Sequence, residues 1–249
     1  MTGVIRIHLN PHFSWKKQEG KIKIEKQRLT HSGLEPVKWI AVAAMTVDHA
    51  GKIVFPEWYT MTNAIGRIAF PLFAWIIGKR LSLTPGLSGR YIKQLTAWML
   101  ISQPFFVYSG SSGLNIFFTL ALGTVLFHGL NRIRQRQITS GLFLICLSLL
   151  FSVKADYRLG IFIIPITAMM PDKLPLFGAV LTGGLAVLSN YSIGSPTLGP
   201  GAGFAFFAGA IVWFVHCRTI LLPRLPGCLF YTYYPFHLIL LRVIAQVFR

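Results

Sequence analysis

From residue 37 onward, long apolar runs alternate with short polar segments that hold most of the lysines and arginines. The runs approach the roughly 20 residues a helix needs to cross a bilayer. They predict nine spans, at about 38–55, 62–81, 91–108, 115–130, 139–153, 159–171, 174–190, 202–222 and 228–248. The sixth is short and interrupted by Pro165 and Pro171, which suits a re-entrant or tilted element as well as a full crossing. The expected fold class is all-α, a polytopic membrane bundle of about nine transmembrane helices. Residues 1–36 form a basic N-terminal segment, and 37–249 the transmembrane domain.

The charges orient the spans. With the N-terminus in the cytoplasm, the inner segments and flanking helix ends hold Lys79, Arg80, Arg90, Lys93, Arg132, Arg134, Arg136, Lys173, Arg218 and Arg224. The outer loops 56–61, 109–114 and 191–201 hold no Lys or Arg. Only Lys154 and Arg158 break this pattern of positive charge inside. Nine crossings would put the C-terminus outside.

Composition agrees with lipid as solvent. The chain is 53% hydrophobic and 12% charged, against about 25% charged in soluble domains. A net charge of +17 invites a nucleic-acid reading. The cations lie between apolar runs, not on one face, so nucleic acid is not an expected partner. Residues 1–36 lack the apolar core of a cleavable signal peptide. They read as a disordered basic arm or as an interfacial helix on anionic membrane lipid. Pro11 and Gly20 argue against one continuous helix there. Cys146, Cys217 and Cys228 form no C-x-x-C pair and read as apolar filler, so no metal is expected.

Candidate chemistry follows from depth. Asp48 is the one carboxylate inside a predicted span; the other acids are in loops or the tail. It adjoins His49. Ionisable groups at that depth cost several kcal/mol unless paired or facing a wet cavity. Asp48 and His49 come late in the outward first span, and Arg67 early in the inward second. Gln103 ends span three, Asn115 and Thr119 open span four, Asp156, Tyr157 and Arg158 lie by an outer loop, and Tyr234 and His237 are mid-span. These groups converge on the outer half, where spans one, two, four and nine would wall a cavity.

Each residue carries two readings. His49 suits proton transfer near neutrality, or is an interior hydrogen-bonded histidine. Adjacent helix positions point about 100° apart. Asp48 and His49 are thus expected to diverge, one to the cavity and one to a partner helix. Arg67 is an anion clamp or oxyanion stabiliser, or the ion-pair partner of Asp48. Pro71 should kink its helix and free a carbonyl. His237 contacts ligand or packs in the core. Tyr231, Tyr233 and Tyr234 read as packing or interfacial residues, and Arg242 as snorkelling. Asn115 and Thr119 share a helix face and either meet substrate or bond between helices. No G-x-S-x-G elbow, P-loop or H-E-x-x-H is present. No inverted repeat emerges to support a secondary transporter.

The strings KWIAVAAMTVDHAG, NAIGRIAFPLFAWIIG, SQPFF, NIFFTLALG, ADYRLGIFIIPI and FYTYYPFHLILL, in this order, resemble the TraX family, with its TrbP-like members of conjugative plasmids. The resemblance covers roughly residues 36–245. Arg158 stands where that family more commonly has glycine. The resemblance implies an acetyl-CoA-dependent N-acetyltransferase of the bacterial inner membrane that acetylates the N-terminus of a conjugative pilin subunit during pilus maturation. Residues 37–249 then form an acyltransferase-like domain, with His49, Asp48 and Arg67 as catalytic candidates. Asn115, Thr119, Asp156, Tyr234, His237 and Arg80 are substrate- or cofactor-binding candidates. Acetyl-CoA is the donor, and no metal is implied. The polar centre also admits a non-enzymatic pilus-assembly chaperone or platform, or a proton-coupled transporter using Asp48 and His49 as a relay.

Overall fold

The computed structural model describes residues 15–155, 157–170, 175–191, 200–217, 222–223 and 226–247. Lys173, Arg218 and Arg224, and the outer segment 192–199, lie outside the described residues. The described chain is helical throughout, with no strand. Its elements are α1 (Trp15–Ile53), α2 (Tyr59–Gly66), α3 (Ala69–Leu83), α4 (Ser88–Tyr108), α5 (Ile116–Arg134), α6 (Ile138–Ser152), α7 (Ile163–Met169), α8 (Pro175–Tyr191), α9 (Pro200–Cys217) and α10 (Gly227–Val247). A 3₁₀ turn, Leu159–Phe162, leads into α7. With α2 and α3 taken as one broken helix, these elements match the nine expected runs.

Two stretches, Pro56–Leu83 and Ile116–Arg134, are long and apolar enough to cross a membrane. Four shorter apolar helical stretches accompany them. The outward faces are apolar too. Phe143 and Leu150 on α6, Phe207 and Phe214 on α9 and Leu100 on α4 are all exposed. Such surface finds its solvent in lipid, not water.

The N-terminal expectation needs correction. Helix α1 begins at Trp15 and runs through Gly20 and Pro36 without a break. Pro11 lies outside the described residues.

Hydrogen bonds set α1 and α10 side by side and parallel. Trp39 Nε1 donates to the Pro223 carbonyl at 3.1 Å. Seven residues further along α1, and ten beyond Pro223, Thr46 Oγ1 meets the Tyr233 hydroxyl at 2.7 Å. Thr46 already donates to the Val42 carbonyl at 2.8 Å, so Tyr233 is the donor in this bond. His49 then meets His237. Lys52 donates to Ser111 Oγ in the α4–α5 loop at 2.9 Å. The Arg242 guanidinium lies 5.9 Å from the Tyr108 ring centre, a cation–π contact between α10 and α4. The C-terminal ends of α1, α4 and α10 therefore gather at one end of the bundle, here the site end. Lys79, Arg80, Arg90, Lys93, Arg132 and Arg134, at the facing ends of α3, α4 and α5, mark the opposite, basic end.

The sixth element is half-length. The 3₁₀ turn and α7 together rise about 18 Å, against a hydrocarbon core of about 30 Å. Ile161, Ile163 and Ile164 are buried. Glycines let the neighbours close on it: a Cβ on Gly123 of α5 would stand 2.8 Å from the Ile161 carbonyl oxygen, and one on Gly78 of α3 2.7 Å from Thr167 Cβ. The α8–α9 hairpin uses the same device, since a Cβ on Gly209 would stand 2.2 Å from the Ala179 carbonyl oxygen. Small residues at such points allow helix backbones to meet in a membrane.

Replacing Gly209 with Leu should therefore destabilise the purified protein by about 1–3 kcal/mol, the usual range for overpacking. Thermal unfolding in detergent, followed by tryptophan fluorescence, measures this. An unshifted transition would show that α8 and α9 do not meet at this point.

Candidate functional site

Met45, Asp48, His49 and Lys52 follow the 3–4 spacing that places side chains on one helix face. All four line a cavity of about 230 Å³ at the site end. Asp48 and His49 straddle the centre of that face, so both reach the cavity. The expectation that one of them turns away does not hold. Their partners do diverge: Asp48 turns to α2 and His49 to α10.

The α2 side is close because two glycines allow it. A Cβ on Gly66 would stand 2.3 Å from Asp48 Cβ, and one on Gly51 1.7 Å from Thr62 Oγ1. Asn63 then bridges the charges. Its Nδ2 donates to Asp48 Oδ1 at 3.0 Å, and its Oδ1 accepts from Arg67 Nε at 3.2 Å. Among the described residues the ion pair is Glu35–Lys38, so Asp48 and Arg67 are linked through an amide and not directly. Arg67 also donates to the Tyr157 hydroxyl at 3.3 Å. The Tyr157 ring stacks on Phe70 at 4.2 Å. Asn63 Nδ2 further donates to the Tyr59 hydroxyl at 3.2 Å.

Arg67 owes its position to a broken helix. Helix α2 ends at Gly66 and α3 begins at Ala69. Proline has no N–H to offer the residue four places before it. For Pro71 that residue is Arg67, so the expected kink falls there.

On the α10 side, His49 Nδ1 and His237 Nε2 are 2.7 Å apart. His237 Nδ1 lies 2.9 Å from the Tyr233 carbonyl oxygen. A carbonyl only accepts, so His237 Nδ1 carries a proton. In neutral His237 the other nitrogen, Nε2, is then an acceptor. His49 Nδ1 must be its donor. This fixes the His49 tautomer and leaves a lone pair on His49 Nε2. Tyr234 meets His49 edge-on at 6.0 Å and His237 at 5.7 Å.

The remaining candidates divide. Tyr234 lines the cavity, and His237 stands directly behind His49. Asn115 is fully buried and engaged elsewhere. Its Oδ1 accepts from the Phe117 N–H at 3.1 Å, and its Nδ2 donates to the Met99 carbonyl at 2.8 Å and to Ser102 Oγ at 3.0 Å. Its own N–H donates to Gln103 Oε1 at 3.1 Å. It caps α5 and ties it to α4, and its neighbour Ile116 lines the cavity instead. Thr119 is buried, its hydroxyl has no partner among the described residues, and it lines neither cavity described here. Asp156 lies outside the described residues. Spans one, two, four and nine all contribute walls, joined by Phe106 of α4 and by Tyr157.

Arg80 is far from this cluster. It lines a second cavity, of about 430 Å³, at the basic end, with Lys38, Arg90, Tyr91 and Gln94. Arg80 Nε is buried without a hydrogen-bond partner among the described residues.

Sequence reading missed Lys52, Tyr59 and Asn63 as site residues. Two of them carried a signal: Asp48–Lys52 and Asn63–Arg67 are both i,i+4 pairs on a helix face. The described residues offer no group of three or more His, Cys, Asp or Glu suited to a metal ion. What the cavity does offer is an imidazole lone pair, a carboxylate, an amide and a guanidinium. Those can bind an amine, remove its proton and steady a developing negative oxygen.

No solved structure matches the chain. Protein TraX of Escherichia coli strain K12 is 26% identical over 218 residues, covering 84% of this chain and 86% of the relative. A family model described as TraX protein matches residues 33–245, which takes in every residue of both cavities. The chain belongs to the TraX family.

Proposed function

We propose that this protein is a membrane-embedded acetyltransferase that uses acetyl-CoA to acetylate the N-terminus of a conjugative pilin subunit. The observation that carries the reading is the hydrogen-bond chain from His49 Nδ1 through His237 to the Tyr233 carbonyl, which leaves the His49 Nε2 lone pair unengaged beside a cavity that also holds Asp48 and the Asn63–Arg67 pair. Family membership supplies the pilin context. Under this reading the site end faces outward in the bacterial inner membrane, and the basic end faces the cytoplasm.

An N-terminal amine arrives mainly as its ammonium form. Asp48 is placed to attract it. His49 Nε2 takes a proton, and the freed nitrogen lone pair attacks the thioester carbon. The new C–N bond pushes an electron pair onto the thioester oxygen. Arg67, held by Asn63 and Tyr157, is the cation available to that oxygen. The oxygen pair then reforms the carbonyl and the C–S bond breaks. His49 passes that first proton to water, then takes the second proton from the now cationic adduct nitrogen and hands it to the departing thiolate, leaving a neutral amide and a neutral thiol. His237 is a positioning residue, since it accepts from His49 Nδ1 and so spreads the charge of the imidazolium that forms. The phosphates of CoA need cations and donors, and the basic-end cavity offers Arg80, Arg90 and Lys38.

The intact mass of pilin from cells carrying this chain should rise by one acetyl group, and His49→Ala should remove that gain. Pilin of unchanged mass in both strains would refute the proposal for that pilin. Unacetylated pilin in both strains, with pili still formed by His49→Ala but lost on helix-face substitutions, would favour an assembly platform instead.

His237→Ala should lower kcat by about 10²-fold, within the range a positioned base supplies, with KM for the donor little changed. His237→Gln, whose amide oxygen can still accept a proton, should recover part of that rate. Equal losses in both variants would leave His237 a packing residue only. Arg80→Ala should do the reverse, raising KM for acetyl-CoA at least tenfold with kcat nearly intact. An unchanged KM would remove Arg80 from the donor site.

A further inference from the structure

The two cavities lie back to back. Tyr231 lines the basic-end cavity and Tyr234 the site cavity. The two residues are three apart on α10, about 4.5 Å along its axis. Adjacent residues of α5 divide in the same way: Phe117 faces the basic-end cavity and Ile116 the site cavity. What separates the spaces is thin. The Phe117 ring lies 5.1 Å from Tyr234, edge to face, and 5.9 Å from Tyr231.

Phe117 is also firmly held. It is 3% exposed. It sits in the first turn of α5, and Asn115 caps its N–H while binding α4 through Met99 and Ser102. This cap is the part Asn115 plays near the site: it places a phenyl ring between the two spaces. Behind the ring, Tyr231 stacks on Trp98 at 5.9 Å and meets Phe230 edge-on at 5.6 Å, so the layer has support on the α4 and α10 sides.

We propose that the two cavities are halves of one donor path, and that Phe117 is the specificity-determining residue that limits which acyl group passes from the basic end to His49. This inference rests on the transferase reading above. A phosphorylated thioester seated at the basic end must present its acyl end to His49 across the aromatic layer. An acetyl group is slender enough to pass beside a tilted ring. Each further methylene meets the ring edge. Apolar pockets discriminate by about 10- to 200-fold per methylene, so one phenyl ring is enough to confine the enzyme to short acyl groups.

The test uses the full-length protein in lipid nanodiscs, a peptide matching the pilin N-terminus as acceptor, and acetyl-, propionyl- and butyryl-CoA as donors. Wild type should strongly prefer acetyl-CoA. Phe117→Ala should raise the butyryl-to-acetyl ratio of kcat/KM at least tenfold, and Phe117→Leu should fall between. The graded Leu variant keeps the test usable if the Ala variant does not fold, and thermal unfolding of each variant separates these cases. Acetyl transfer with the same donor ratio in wild type and both variants would overturn the role of Phe117 and leave the transferase reading standing. Absence of transfer from every donor in wild type would overturn the transferase reading and this inference with it.

Discussion

The arrangement depends on one hydrogen bond between two imidazoles, carried by the first described helix and the last. His49 and His237 are 188 residues apart in sequence and 2.7 Å apart in space. Polar side chains at this depth are costly unless they find partners. Here each ring has one, and the chain of donors ends on a backbone carbonyl of α10. The same seam holds Thr46 to Tyr233 and Trp39 to Pro223, so three contacts fix α1 and α10 in parallel register. A slip by one residue would rotate His49 about 100° away from its partner. Register and tautomer are thus set by a single seam.

Opposite that seam, Asp48 meets Asn63 and not Arg67 directly. The difference is chemical. A direct ion pair would hold both charges against each other. An amide between them satisfies one carboxylate oxygen and one guanidinium N–H, and leaves donor and acceptor capacity on each group for a third party. Gly51 and Gly66 make this geometry possible by letting α2 approach α1 where any side chain would collide.

Much of this was legible in the sequence. Apolar run lengths give the helices, and loop charges give a consistent sense to them. The broken second span follows from Pro71, and the polar groups of spans one, two and nine do meet. The rest was hidden for physical reasons. Asp48 and His49 sit on either side of a face centre, which adjacency alone cannot tell from divergence. Asn115 reads the same whether it meets a ligand or caps a helix; only the hydrogen bonds of its side chain decide. Asn63 is uncharged and was overlooked beside Arg67, though the i,i+4 spacing tied them. The helix runs on through Gly20 because a glycine lowers helix stability by only about 1 kcal/mol, too little to stop a long helix. The division into two cavities depends on which way Phe117 and Tyr231 turn, which no periodicity reveals.

The half-length α7 has a consequence for how the chain sits in its membrane. Together with its leading 3₁₀ turn it begins by the site end and stops after about 18 Å. Its last carbonyls therefore come to rest at a depth where lipid offers no hydrogen bonds. Helix α8 packs alongside, so closely that a Cβ on Gly178 would stand 2.6 Å from Met170 Sδ. Helix α7 does not suit the bilayer by itself. The cover that α7 needs at that depth is therefore supplied by its own successor in the chain, and the two pieces are stable in lipid as a pair.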